Sequence, residues 1–202
     1  LSPGMLLSAY SQGVFPWYSE GEPLLWWNPD PRFVLFPGRL HVSKSLSKLL
    51  KKSKFSFTFD REFREVIEHC SRIERPGQDG TWITGEMIDA YVELHRLGFA
   101  HSLEAWSDGH LAGGLYGVSL GRVFCGESMF TLESGASKSA FVHLVGTLHP
   151  LNFHLIDCQV RTDHLVSMGA EEIPRAEYLS LLGKALERPT IRGSWDGLAG
   201  AG

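Results

Sequence analysis

A chain of 202 residues is long enough for one sizeable hydrophobic core, and 43% hydrophobic with 21% charged residues is typical of a globular protein. No apolar run approaches the ~20 residues that a membrane-spanning helix needs, and no signal-peptide pattern opens the chain, so we expect a cytoplasmic protein with no membrane partner. The three cysteines, Cys70, Cys125 and Cys158, lack metal-ligand spacing, which favours a reducing compartment over a disulfide framework.

The net charge of -4 hides an uneven distribution of basic residues. No acidic residue lies between Asp30 and Asp60, whereas the rest of the chain holds twelve basic residues against twenty-three acidic ones. The basic residues of this stretch are Arg32, Arg39, Lys44, Lys48, Lys51, Lys52 and Lys54. A wholly basic stretch in an otherwise acidic protein indicates a polyanionic partner.

The N-terminal part of the chain is predicted to be a helix followed by an irregular segment. Ser2 and Pro3 are typical of a helix start, and Gly13 ends that helix. The segment 14–38 is rich in proline and aromatic residues, which predicts a packed loop with short extended pieces.

Three more helices are predicted before residue 100, with starts at Ser43, Asp60 and Thr84. A strand is expected at residues 55–59 and a loop at residues 75–80. Gly98 then ends the last of these helices, because glycine readily adopts the left-handed conformation found after a helix.

From His101 the pattern changes to strands. Residues 101–130 predict three antiparallel strands, the first two joined by a hairpin turn at Asp108-Gly109. Further along, we expect a helix at about 136–148, a strand at 153–159, helices near 162–168 and 174–187, and a frayed tail at 193–202. A late strand that returns to the sheet after a helical crossover indicates an α+β fold.

Four lysines share one face of the helix predicted to begin after Ser43. At 100° per residue the positions Lys44, Lys48, Lys51 and Lys52 fall in one sector, and leucines lie opposite. A solvated helix face gives a similar pattern, but such faces usually include acidic residues, and this helix has none. The lysines therefore fit either a solvated face or a surface that binds phosphate backbone.

The segment LIDCQ, residues 155–159, ends an apolar strand with three polar or reactive side chains. Strand alternation predicts that Asp157 and Gln159 share one face and that Cys158 lies on the other. We therefore interpret the thiol as a small buried hydrophobe rather than a nucleophile. The Asp157 carboxylate could accept from the Gln159 side-chain amide and turn the amide oxygen towards an amine. A pair that caps the next helix is the alternative.

The segment FCGESMF, residues 124–130, places a carboxylate at the end of another apolar strand. Burying Glu127 is costly unless it is paired or solvated, so we expect it to meet either a cation of a substrate or an arginine. Gly126 indicates a bulge or the close approach of a ligand. The nine histidines show no metal-binding spacing, so no metal site is predicted.

Several of these segments, in this order, resemble the bacterial leucyl/phenylalanyl-tRNA–protein transferases. The matching blocks include AYSQGVFPWY, WWNPDPRFVLFP, GTWIT, FCGESMF and LIDCQ. The resemblance extends from Leu1 to Arg175, and only the extreme N-terminal segment of the family is expected to be missing.

This resemblance implies a substrate pair and a fold. The family transfers Leu or Phe from Leu-tRNA or Phe-tRNA to proteins with N-terminal Arg or Lys, which creates an N-degron. No cofactor is implied, because the donor ester is already activated. The implied fold is a small N-terminal domain at residues 1–35, truncated at its start, and a GNAT-like domain at residues 36–202. Its sheet is mostly antiparallel and flanked by helices.

The resemblance also implies roles for individual residues. Asp157 and Gln159 would position or deprotonate the acceptor amine, and Glu127 would complement that amine or the Arg or Lys side chain. Residues that would bind the donor or acceptor are Tyr10, Trp17, Trp82, Tyr91, Leu115, Phe124 and Ser128. Residues that would bind the tRNA are Lys44, Lys48, Lys51 and Lys52.

Two other functions remain open from the sequence. An acetyl-CoA-dependent N-acetyltransferase of the same fold needs a glycine-rich loop whose amides hold pyrophosphate. The corresponding stretch here has only Gly135 and carries Glu133, which would repel phosphate. A non-catalytic tRNA-binding module would explain the lysines but not Asp157, Gln159 and Glu127.

Overall fold

The computed structural model describes residues 1–19, 21–73 and 82–198, so the predicted loop at 75–80 and the last residues of the tail lie outside the described residues. The α-helices in these ranges are α1 (Pro3–Ser11), α2 (Lys44–Lys51), α3 (Phe63–Ser71), α4 (Gly85–Arg96), α5 (Ala136–Leu148), α6 (Asp163–Val166) and α7 (Arg175–Leu186). The strands are β1 (Phe15–Pro16), β2 (Trp26–Trp27), β3 (Arg32–Leu35), β4 (Ser56–Phe59), β5 (Ala100–Ser107), β6 (His110–Leu120), β7 (Val123–Thr131), β8 (Leu155–Gln159) and β9 (Glu171–Ile173).

A sheet of seven strands forms the centre of the molecule, in the order β4-β5-β6-β7-β8-β3-β9. All neighbours are antiparallel except β7 and β8, which run parallel because α5 crosses over between them. β1 and β2 pair separately as a short ribbon. The predicted α+β class, with a mostly antiparallel sheet flanked by helices and a late strand returning after a crossover, is confirmed.

Two apolar clusters cover the two faces of this sheet. The first contains buried residues of α1, α3, α4 and α7. The second contains buried residues of α2, α5 and α6 together with the C-terminal Trp195. No helix in the described ranges is both long and apolar enough to cross a membrane.

Strand β3 lies inside the large sheet, between β8 and β9. The predicted N-terminal domain ends at residue 35 and so includes this strand. All four of its residues are buried, which leaves no alternation of polar and apolar positions to indicate a strand. The sequence therefore predicted only short extended pieces in this region.

Most local predictions agree with the structure. The side chains of Ser2, Ser43 and Thr84 each accept a hydrogen bond from the backbone N–H three residues further on, as helix caps do. Asp108 and Gly109 have φ of 50° and 80°, as the predicted two-residue hairpin turn requires.

The prediction for Asp60 was wrong, as was the prediction for the described part of the tail, and the two errors are linked. α3 begins at Phe63, and Asp60 does not cap it. Instead the Asp60 carboxylate pairs with His101 Nδ1 at 2.9 Å and accepts from the backbone N–H of Ser102 at 3.0 Å and of Trp195 at 2.8 Å. Trp195 is fully buried, so this part of the tail is packed rather than frayed.

Candidate active site beside two central strands

A cavity of about 570 Å³ opens beside the middle of β7 and the end of β8. Most of its lining is apolar, with side chains from the sheet, α5 and α6: Leu115, Phe124, Met129, Phe141, Leu144, Ile156 and Leu165. Polar groups are contributed by Glu127, Ser128, Gln159, Arg161 and His164. A largely apolar cavity with a few polar groups is the usual form of a small-ligand site.

A β-bulge places Glu127 at this cavity. On β7, Ser128 pairs with Tyr116 and Gly126 pairs with Gly117, so that Glu127 is the extra residue of the bulge. The bulge predicted from Gly126 is therefore confirmed. It interrupts the alternation of β7 and turns the carboxylate into the protein interior.

The Glu127 carboxylate is buried and hydrogen-bonded on both oxygens. Gln159 Nε2 donates to Oε1 at 2.7 Å, and the Tyr91 hydroxyl donates to Oε2 at 3.1 Å. Tyr91 also bonds to the hydroxyl of Tyr10. Burial raises the pKa of Glu127 to about 7, with a smaller contribution from the charge of Asp157, although the hydrogen bonds oppose this shift. Glu127 can thus gain or lose a proton near neutral pH.

Asp157 is fully buried and points away from the cavity. Arg32 donates to both of its oxygens, from Nε to Oδ1 at 2.8 Å and from Nη2 to Oδ2 at 2.6 Å. The Tyr178 hydroxyl and the backbone N–H of Gln159 add bonds of 2.8 and 3.0 Å. These four bonds use about all the lone pairs that a carboxylate offers. Asp157 therefore serves as a buried anchor.

The predicted contact between Asp157 and the side-chain amide of Gln159 is wrong. Asp157 holds the backbone of Gln159, whereas Glu127 holds its side chain. The reason is that Gln159 has φ of 64°, a left-handed conformation in which side chains no longer alternate as in a strand. Gln159 consequently lines the cavity, although Asp157 does not.

Arg32 is a site residue that the sequence analysis missed. It was counted with the basic stretch, but it is fully buried and cannot meet a polyanion. Besides Asp157 it donates to the Gly13 carbonyl at 3.1 Å, and its guanidinium carbon lies 4.4 Å from the ring centroid of Tyr178. Its only signal in the sequence is a charge placed directly before an apolar run.

Cys158 lies on the opposite side of β8 from Asp157, as alternation predicts, but that side is the cavity wall. It is partly rather than fully buried, because the cavity borders it. Burial raises the pKa of its thiol well above the ordinary value. The thiolate that a nucleophilic mechanism needs is therefore disfavoured.

The predicted substrate-binding residues fall into two groups. Trp17, Trp82, Leu115, Phe124 and Ser128 line the cavity. The ring centroids of Trp17 and Trp82 are 6.4 Å apart, at an interplanar angle of 52°. The two tyrosines of the prediction, which bond to each other and to Glu127, are buried behind that carboxylate rather than on the cavity wall.

The four predicted tRNA-binding lysines are exposed, three of them on α2 and Lys52 directly after it. In the described part of the chain no ion pair joins Lys44, Lys48, Lys51 or Lys52 to an acidic residue. The other side of α2 packs on the start of α5. A Cβ added to Gly135, whose φ is 87°, would lie 2.3 Å from Leu49 Cδ2.

The packing of α2 bears on the acetyltransferase alternative. Leu49 fills the space beside Gly135, where the amides of a pyrophosphate loop would have to be open. Glu133, just before that glycine, pairs with Lys54 at 2.7 Å. The start of α5 is thus apolar and acidic, which is unsuitable for pyrophosphate.

The chain matches two family models of known proteins. Leucyl/phenylalanyl-tRNA protein transferase matches residues 34–183, and the N-terminal domain of the same transferase matches residues 1–30. A solved GCN5-related N-acetyltransferase from Kribbella flavida aligns with 84% of this chain and 60% of its own, at 12% identity and a TM-score of 0.38, too low to support an inference.

Curated relatives carry the same family name over nearly the whole chain. One from Anaeromyxobacter sp. (strain Fw109-5) is 61% identical over 97% of this chain and 83% of its own length. One from Myxococcus xanthus (strain DK1622) is 56% identical over 96% of this chain and 83% of its own. Both are named leucyl/phenylalanyl-tRNA–protein transferase, and the chain belongs to that family.

Proposed function

We propose that the protein transfers Leu or Phe from aminoacyl-tRNA to the α-amine of proteins whose N-terminal residue is Arg or Lys. The observation that carries this proposal is the buried Glu127, whose pKa lies near 7 and which is bonded to Gln159 on the wall of a largely apolar cavity. A free α-amine has a pKa of ~7.7–8.0, so proton transfer between the two groups is nearly balanced. Because charged tRNA is the donor, we place the reaction in the cytoplasm.

The apolar part of the cavity would take the donor side chain. Leu115, Phe124 and Ile156 offer hydrophobic contact to a leucyl or phenylalanyl group. Trp17 and Trp82 lie side by side at the same cavity but are tilted against each other, so one of the two rings would stack on the terminal adenine of the tRNA. This arrangement holds the ester carbonyl near the polar wall of Glu127 and Gln159.

Gln159 would orient the acceptor amine. Its amide N–H is committed to Glu127, so its carbonyl oxygen is the group that can accept from the amine. Asp157 fixes the backbone of Gln159 through a 3.0 Å bond and thus acts as a positioning residue. Asp157 was predicted to lie next to the reacting amine, but the contacts favour Glu127 in that position.

The reaction then requires two proton transfers, from the amine to Glu127 and from Glu127 to the departing oxygen. The neutral amine attacks the ester carbonyl carbon, a C–N bond forms, and the C–O bond to the tRNA 3′ oxygen breaks. Glu127 accepts the proton that the amine loses and returns it to the departing oxygen. A carboxyl group with a pKa near 7 suits both steps, since neither direction is strongly uphill.

The lysine face of α2 would bind the phosphate backbone of the tRNA. Four exposed lysines without acidic partners in the described chain supply affinity that is independent of sequence. Such contacts can place the acceptor end without reading its bases.

A direct assay decides between the candidate functions. The protein is incubated with Leu-tRNA and a peptide that starts with Arg, and the mass of the peptide is then measured by mass spectrometry. We expect a gain of one leucyl residue, and no gain when the peptide α-amine is acetylated beforehand. Acetyl transfer from acetyl-CoA without leucyl transfer would support the acetyltransferase, and tRNA binding without any transfer would support the non-catalytic module.

Replacing Lys44, Lys48, Lys51 and Lys52 by Gln should lower the affinity for tRNA and make that affinity less dependent on salt concentration. Each phosphate contact contributes roughly 0.7–0.9 to the slope of log K against log salt, so the slope should become less steep by about 3. The measurement is a binding titration at several salt concentrations. Arg64, Arg72 and Arg96 are exposed but paired with acidic residues, so their replacement by Gln is the control. Equal slopes in all variants would contradict the lysine surface.

Replacing Cys158 by Ala should leave transfer within about twofold of the unmodified protein. Alanine retains an apolar wall at this position, and the raised pKa of the thiol leaves little thiolate to lose. The measurement is kcat/KM for leucyl transfer, with a thermal melt to show that the variant is folded. A folded Cys158→Ala protein without activity would restore the thiol as a nucleophile.

A further inference from the structure

The C-terminal segment 188–198 is bonded to the turn between β6 and β7 and to the end of α4. Thr190 Oγ1 accepts from the backbone N–H of Gly121 at 2.8 Å. Arg192 donates to the Leu97 carbonyl at 3.2 Å. Both residues precede Trp195, so these bonds fix the chain that leads to this side chain.

Trp195 is fully buried in the second apolar cluster. Its ring lies parallel to that of His101, with centroids 3.8 Å apart and an interplanar angle of 7°. Its indole N–H donates to the Ile191 carbonyl at 3.1 Å, and its backbone N–H donates to Asp60 at 2.8 Å. Both N–H groups are satisfied, so the ring is held in one orientation.

Phe124 separates Trp195 from the cavity. Its ring lines the cavity and lies 6.1 Å from the Trp195 ring, centroid to centroid. A Cβ added to Gly117 would lie 2.6 Å from ring atoms of Phe124, so the strand backbone is close on another side. Phe124 therefore packs against β6 and Trp195 and also borders the cavity, so a change at Trp195 can reach the cavity through this ring.

We propose that Trp195 is a positioning residue that sets the depth of the donor pocket and thereby the preference between leucyl and phenylalanyl donors. The proposal rests on the aminoacyl-transfer function proposed above. Trp195 does not touch the substrate and acts through Phe124. A smaller side chain at position 195 would let Phe124 withdraw from the cavity, which lengthens the pocket. The longer phenylalanyl side chain would gain more contact from that change than the leucyl one.

The test measures donor preference in Trp195→Phe and Trp195→Leu. The hydrogen bond to Asp60 comes from the backbone and is kept in both variants. For each protein, kcat/KM is measured with Leu-tRNA and Phe-tRNA and one acceptor peptide. We expect the ratio of Phe to Leu to rise roughly 10-fold in Trp195→Leu, mainly through KM, and less in Trp195→Phe, since small changes in an apolar pocket have effects of this size.

Leu94→Ala is the matched control, because Leu94 is fully buried in the other apolar cluster. It should lower the melting temperature and leave the ratio of Phe to Leu unchanged. If Trp195 has a purely structural role, its variants should likewise have a lower melting temperature and an unchanged ratio of Phe to Leu. An unchanged ratio in the Trp195 variants would therefore overturn the proposal. Trp195→Phe keeps a large aromatic ring and covers the case in which Trp195→Leu does not fold.

A binding measurement separates this proposal from the proposed reaction. The affinities of amide-linked leucyl-adenosine and phenylalanyl-adenosine, which cannot be transferred, are compared by calorimetry. Their ratio should shift in the same direction as the kinetic ratio. Absence of transfer by the unmodified protein would contradict the proposed function, whereas an unshifted affinity ratio in the variants would contradict the role of Trp195.

Discussion

Replacing Glu127 by Gln should lower kcat for leucyl transfer at least 100-fold while the protein stays folded. Glutamine has the same shape and its oxygen can still accept from Gln159, but it cannot take the proton of the amine. Removal of a general base typically costs 10²–10⁴-fold in rate. Single-turnover transfer from Leu-tRNA to an Arg peptide measures the chemical step directly.

The pH dependence provides the sharper test of Glu127. The ionised carboxylate is the base, so kcat/KM should rise as the pH increases through about 7, the raised pKa of this group. Glu127→Gln should lose that rise and keep only the rise due to the acceptor amine at ~7.7–8.0. Glu133→Gln, which removes an exposed carboxylate paired with Lys54, is the control. An unchanged profile in Glu127→Gln would mean that another group accepts the proton.

Replacing Arg32 by Met should destabilise the protein by about 3–5 kcal/mol, because it leaves the Asp157 carboxylate buried without its charge partner. Urea denaturation measures the change in the free energy of unfolding. Arg39→Met removes an exposed ion pair with Glu171 and should cost less than about 1 kcal/mol. Equal effects of the two replacements would contradict the buried anchor.

A double replacement separates stability from positioning. Arg32→Met with Asp157→Leu removes both charges, so most of the lost stability should return. Transfer should nevertheless remain low, because Gln159 has lost the bond that fixes its backbone. Wild-type activity in the stable double variant would show that Asp157 matters only for folding.

Features that depend on residues close together in the chain, such as helix caps and hairpin turns, are predicted best from the sequence. The caps at Ser2, Ser43 and Thr84 and the Asp108-Gly109 turn depend on contacts within a few residues, and all are present. The pairing of Arg32 with Asp157 joins residues 125 positions apart. β3 and β8, which carry these two residues, become neighbours only through the strand order of the whole sheet. Local sequence patterns do not predict that order.

At the candidate site, strand alternation fails for two physical reasons. A bulge makes Glu127 an unpaired residue, and the left-handed backbone of Gln159 turns its side chain towards the cavity. Gly126 indicated the bulge in advance, but glutamine gives no sign of a positive φ. The sequence thus pointed to Glu127, Gln159 and Asp157 but not to Arg32, and the structure changes which of these residues are bonded to each other.

The two hydroxyls behind Glu127 come from different parts of the chain, Tyr10 from α1 and Tyr91 from α4. Packing of α1 also helps to bury the carboxylate, and that burial is the main cause of its raised pKa. The pKa of the proposed base therefore depends on the packing of α1 against the rest of the protein. Loosening α1 would change the pKa of Glu127 in two opposing ways without altering any residue of the cavity wall: exposure of the carboxylate would lower it, and loss of the Tyr10 hydrogen bond would raise it.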